Sequence, residues 1–241
     1  MLTDLRSRSR RPRAAAILAL VILSPQVFAT EASNPKAVAA MERFLSRQTI
    51  PHEYRAIRRL EATGVGQRGW LDADTSFTDA KGLIYEVTAE GGSGYIRARV
   101  LRSLLDEEQR VIALGATATV AISRDNYQFT PEGINEQGLA VVRMNPLRKD
   151  RALIDGKIFL SPDEGELVQV EGRLARNPSF WVTRVHVIRA YRSINGVRMP
   201  VSLETKAQLR LLGSSALRMT YRYSLIDEQI VEDEAVDCAD C

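Results

Sequence analysis

Between Val197 and Leu225 the chain alternates apolar and polar residues for the length of two long strands. Val197, Met199, Val201, Leu203, Thr205, Ala207, Leu209 and Leu211 interleave with Arg198, Pro200, Ser202, Glu204, Lys206, Gln208 and Arg210. Leu217, Met219, Tyr221, Tyr223 and Leu225 interleave with Arg218, Thr220, Arg222 and Ser224. Strand side chains point to opposite faces with period two, so these segments predict an antiparallel sheet with one dry and one wet face. Such a sheet either packs its dry face on another layer or curls around something apolar.

Upstream signals place this sheet in an α+β chain. Asn34-Pro35 starts a helix, with Pro35 at its first position and Val38, Met41, Phe44 and Leu45 at helical spacing. It should stop near Gln48, before Pro51. Arg55–Arg59 reads as a short second helical turn with Ile57 and Leu60 inward. Strands follow over Arg68–Phe77 and Gly82–Glu90, joined as a hairpin. Ser93 is a good N-cap for the longest helix, whose stripe of Ile96, Val100, Leu101, Leu104, Leu105, Val111 and Ile112 runs to Gly115. From Asn126 onward the pattern is strand and turn, and Asn195-Gly196 is the strongest hairpin signal in the chain. A Gly213-Ser214 turn is expected between the last two strands.

Residues 1–29 read as a removable export signal. Arg6, Arg8, Arg10, Arg11 and Arg13 precede the apolar run Ala14–Leu23, and Val27-Phe28-Ala29 suits cleavage after Ala29. That run is too short to span a bilayer. The five arginines and Asp4 leave with the signal, so the full chain's 33 basic and 30 acidic side chains become 28 and 29. The basic pI therefore belongs mostly to the signal, and the near-neutral remainder carries no footprint for nucleic acid. Residues 30–230 are long enough for one β-rich domain, followed by an acidic tail at 231–241. The only cysteines, Cys238 and Cys241, lie in that tail. Flanking aspartates and the lack of a following helix argue against a reactive dithiol, leaving a local disulfide or a frayed end.

Few groups suit catalysis. His52 and His186 are the only histidines, and neither has a sequence neighbour that completes a nucleophile or metal pattern. Asp163, Glu164 and Glu166 sit in a polar turn, and Asp106-Glu107-Glu108 reads as the wet face of the long helix. Arg97, Arg99 and Arg102 read as surface groups. No catalytic residue, metal ligand or cofactor is assigned. What remains is the apolar face, with Leu83, Tyr85, Val87, Val168, Val170, Leu203, Ala207, Leu209, Leu217, Met219 and Tyr221 as candidate lining. Those residues form either a core closed by helices or a cavity under a helical lid that accepts acyl chains.

Three segments carry a resemblance: Ile154–Leu160 (IDGKIFL), Leu167–Gly172 (LVQVEG) and Tyr191–Pro200 (YRSINGVRMP). In this order they resemble the outer-membrane lipoprotein-sorting proteins of the LolA/LolB-like superfamily, as a divergent branch. The resemblance covers roughly residues 34–225 and is sharpest toward the carboxyl side. It implies an incomplete antiparallel β-barrel covered by an N-terminal helix and one long inserted helix. It also implies a periplasmic, monomeric, non-enzymatic carrier for an apolar ligand such as lipid or lipoprotein acyl chains. The alternative expectation is an envelope protein-interaction or sensor module with a protein partner and no small-molecule ligand. Neither reading calls for nucleic acid or a transmembrane span.

Overall fold

The computed structural model describes residues 34–47, 50–180, 182–210 and 213–231. The expected export signal, Leu211 and the tail holding Cys238 and Cys241 lie outside the described residues. Helix α1 spans Pro35–Ser46, with the Asn34 side chain accepting from the Lys36 amide at 3.0 Å. Three strands follow: β1 Glu53–Gly64, β2 Gln67–Thr78 and β3 Gly82–Gly92. A composite helix comes next, built from α2 Gly94–Ile96, a π-helical stretch Arg97–Arg102 and α3 Ser103–Ala113. The remaining strands are β4 Tyr127–Ile134, β5 Ala140–Pro146, β6 Ile154–Leu160, β7 Leu167–Leu174, β8 Val182–Ile194, β9 Val197–Leu209, β10 Gly213–Ile226 and the short β11 Gln229–Ile230.

All eleven strands belong to one sheet in the order β3-β2-β1-β10-β9-β8-β7-β6-β5-β4, with β11 against β10. Every pairing is antiparallel. The sheet curves without closing, so the fold is an α+β incomplete barrel. Register shifts at Asp72/Ala73, Pro131/Gly133, Phe159/Leu160 and Ala190/Tyr191 bend the strands, as an extra residue on one strand does. Between β6 and β7, Gly156 faces Gly172, and a Cβ on either would overlap the other strand's backbone. Two side-chain-free positions let these strands approach closely at that point. Asn195 and Gly196 both have positive φ, as a two-residue type I′ hairpin requires.

Each helical element covers one half of the inner face. Ala37, Ala40, Met41 and Phe44 of α1 recur at helical spacing and pack with Val142, Met144, Ile158, Leu160 and Val170. Ile96, Leu101 and Leu105 of the composite helix pack with Leu60, Leu71, Leu203 and Met219. A third cluster of Tyr54, Leu83, Met199, Tyr223 and Ile226 lies beside it. Ser93 caps the composite helix by accepting from the Ile96 amide, and Gly115 ends it in the left-handed region.

Two expectations are corrected. Arg55–Arg59 is not a helical turn but the middle of β1, where Tyr54, Ala56, Arg58, Leu60 and Ala62 make the inner row. Ile57 therefore points outward and is 42% exposed, although Leu60 is buried as expected. A charged residue in phase with the apolar row hid the period-two pattern. The second correction is at Gly213, which opens β10 and pairs with Leu209 instead of forming the turn.

Candidate binding site

Seven of the eleven candidate lining residues gather beneath the composite helix. Leu203 and Met219 are buried there, with Tyr85, Val87, Ala207, Leu217 and Tyr221 packed against the same cluster. Leu83 lies in the neighbouring cluster and Val170 under α1. Val168 and Leu209 are half-buried and belong to none of the three clusters. The helix side chains fill the concavity between these residues: Leu101 and Leu105 are fully buried. Two open grooves, of about 340 Å³ and about 540 Å³, flank the sheet edge. Leu83 lines the first and Tyr85 the second.

A polar cluster is set into this apolar interior. Arg58 is only 1% exposed. It faces Tyr221 across the β1–β10 ladder, with its guanidinium carbon 4.9 Å from that ring's centre. It donates to Glu108 through Nη1 at 2.6 Å and Nη2 at 3.2 Å, and through Nη2 to the Tyr54 hydroxyl at 2.8 Å. Glu108 sits on α3, so this forked ion pair ties helix to sheet. The expectation that Glu108 lies on the wet face is thereby corrected. Glu108 follows Leu101 and Leu105 by seven and three residues, which puts it on their stripe. The other two acids of that run do face outward: Glu107 pairs with Arg110, and Asp106 accepts from the Tyr85 hydroxyl.

Arg189 on β8 belongs to the same interior. It is in phase with the buried Val185 and Val187 and opposite Leu203. It lies within electrostatic reach of Tyr191, Tyr221 and Glu108. The Nε atoms of Arg58 and Arg189 are both buried with no hydrogen-bond partner. Arg198 stacks its guanidinium 4.9 Å above the Phe44 ring of α1. Burial pushes Tyr54 and Tyr221 up to about 12 and Tyr223 well above its ordinary value, so these phenols stay neutral near pH 7. Burial works against the charge of Arg58, but the Glu108 carboxylate beside it acts the other way and the net shift is upward. For Arg189 the phenol of Tyr191 dominates and raises its pKa despite burial. The interior thus holds two arginines, of which Arg58 is paired with Glu108.

The outer rim is tied by Glu90 of β3, which pairs with Arg97 at 2.5 Å and Arg102 at 2.6 Å. Two residues expected on the surface are therefore half-buried rim contacts between sheet edge and helix. The histidines sit elsewhere: His52 meets Asp79 at 2.7 Å, and His186 meets Glu171 at 3.4 Å across β7–β8. Among the described residues, no group of three or more His, Cys, Asp and Glu comes together. No helix among them is long and apolar enough to cross a membrane.

The signal that marks this cluster is a charge in phase with apolar neighbours. Arg58 lies in phase with Leu60 on a strand, Arg189 with Val187, and Glu108 with Leu105 on a helix. Sequence reasoning sorted charges to the wet side and passed over all three.

No protein-family model and no curated protein matches the chain. Two solved structures are similar to it over most of their length. A DUF1329-family protein from Desulfovibrio piger ATCC 29098 is 10% identical with a TM-score of 0.38, over 78% of this chain and 89% of that one. A LolA-superfamily protein from Nitrosomonas europaea is 10% identical with a TM-score of 0.35, over 82% of this chain and 94% of that one. Both likenesses are distant, and the fold class stands on the strand order itself: an α+β antiparallel half-barrel whose two halves are covered by separate helices.

Proposed function

We propose that this protein is an exported periplasmic carrier that holds an apolar ligand, such as a lipid or a lipoprotein acyl chain, between its curved sheet and the composite helix. The observation that carries this reading is that the helix's apolar hold on the sheet is light, its other ties being polar ones through Glu108, Arg97 and Arg102. Among its described residues Ile96, Leu101 and Leu105 are buried against the sheet, with Val100, Leu104 and Ile112 only partly buried. At about 1.5–3 kcal/mol per buried aliphatic side chain, lifting it exposes roughly 5–9 kcal/mol of apolar contact. An acyl chain returns about 0.8 kcal/mol per methylene, so roughly ten methylenes offset the loss. The ligand then substitutes for the helix on the same sheet face, and the helix acts as a lid. The π-helical stretch supports this role, since such stretches interrupt regular helix bonding and often mark functional sites.

The test is native mass spectrometry of the protein recovered from the periplasm of cells expressing the full chain. A co-purifying lipid or acyl mass supports the carrier. A clean apo mass, together with failure to take up an added fluorescent fatty acid, refutes it. That result would favour an envelope interaction module, to which one observation lends support. The exposed Ile57 and Ile84 both line the groove of about 540 Å³ on the β1–β3 side.

A further inference from the structure

The charge inside the half-barrel is unbalanced. Arg58 is paired with Glu108 and faces Tyr221, while Arg189 enters the same interior from β8, in phase with Val185 and Val187, with no ion pair to a carboxylate among the described residues. Arg58 is fully buried, and each guanidinium keeps one buried N–H donor without a partner. Buried cations and donors are ordinarily satisfied, because leaving them unpaired in an apolar setting is unfavourable. The apolar wall continues on one side of the cluster, with the paired Leu60 and Met219 one step along β1 and β10. A ligand lying along that wall therefore brings one end to the two guanidiniums.

We propose that Arg58 and Arg189 form a headgroup site for a single anionic oxyacid, a carboxylate or phosphate, at the end of the apolar chain. This rests on the carrier reading and adds to it the polarity of the ligand. Glu108 is the resident anion of the site while the lid is down. When the helix lifts, Glu108 leaves with it and the ligand's oxyanion takes its place on Arg58. The ion pair is exchanged and not lost, and Arg189 gains a counter-charge. Arginine suits such an exchange because its planar fork matches both carboxylate and phosphate. An uncharged ligand of the same length would open the lid against an uncompensated Arg58.

Isothermal titration of the purified protein with dodecanoate, dodecyl phosphate and dodecanol tests this directly. Dodecanoate or dodecyl phosphate should bind at least about tenfold more tightly than dodecanol, the scale of one charge-assisted hydrogen bond. Whichever anion leads identifies a fatty-acid or a phospholipid-derived source. Arg189→Met should remove most of that advantage, read as a fall in the ratio of dodecanoate to dodecanol affinity. Glu108→Gln should increase it by removing the competing carboxylate. Should either variant fail to fold, the wild-type ranking alone decides. Equal binding of the acid and the alcohol overturns the headgroup site and leaves the carrier standing. No binding of any of the three overturns both.

Discussion

The Arg58–Glu108 pair is asymmetric, and its two halves should differ in what their removal does to stability. Arg58 is 1% exposed, whereas the Glu108 side chain is 35% exposed. Glu108→Gln keeps the shape and leaves a buried guanidinium facing a neutral amide. Breaking a fully buried pair in this way costs about 3–5 kcal/mol. Water reaches the Glu108 end, and Tyr54 and Tyr221 still contact Arg58, so the expected cost falls to about 2–4 kcal/mol. Arg58→Met removes the buried charge and fills much of its volume, while Glu108 turns outward into water. Only ordinary hydrogen bonds are then lost, at about 1 kcal/mol. Urea unfolding followed by circular dichroism measures both. With a slope of about 2 kcal/mol per molar, Glu108→Gln should lower the midpoint by about 1–2 M and Arg58→Met by about 0.5 M. An Arg58→Met loss equal to or larger than that of Glu108→Gln would refute the reasoning. It would mean that the arginine contributes through packing and not as a charge needing its partner.

A series of straight-chain ligands should bind only beyond roughly ten methylenes, where chain burial offsets the helix contacts, with a plateau or steady uptake from hexyl chains upward counting against the lid. Gly156→Ala would drive a Cβ into the Glu171 carbonyl across the β6–β7 ladder. Overpacking of that kind costs about 1–3 kcal/mol, read as a fall of several degrees in the thermal midpoint, and an unchanged midpoint would show that the strands can part there. The His52 imidazole should titrate above 6.5 by NMR, raised first by its hydrogen bond to Asp79 and then by that charge. Because the folded value is the raised one, its small stabilisation is complete below pH 6.5 and fades as pH rises through the folded pKa. Asp79→Asn should return the midpoint toward the ordinary value, and no change in that variant would remove Asp79 as the cause.

The carboxyl-terminal strands were legible because their residues obey simple periodicity. Met199, Leu203, Met219 and Tyr223 are buried on one face of β9 and β10, and Asn195-Gly196 makes the turn between β8 and β9. The long helix was legible from its stripe and its Ser93 cap, but not its π-helical stretch, which shifts hydrogen bonding without changing residue type. Strand β1 was obscured because its inner row sets Arg58 between Ala56 and Leu60, so burial there depends on contacts made by distant segments. The polar centre was hidden for the same reason. Arg58, Glu108 and Arg189 come from β1, α3 and β8, and only the folded sheet brings their charges within reach of one another.

The two ends of the sheet, β3 and β4, each have one paired neighbour and are not bonded to each other. A closed barrel has its girth set by strand number and stagger, and widening it means breaking ladder hydrogen bonds. This sheet carries no such constraint. Its rim can spread like a cuff, with β3 and the composite helix swinging away from β4 and α1 while every strand ladder stays intact. Under the carrier reading proposed above, capacity is then a matter of twist and bending, with one unchanged set of strand pairings serving occupants of different bulk.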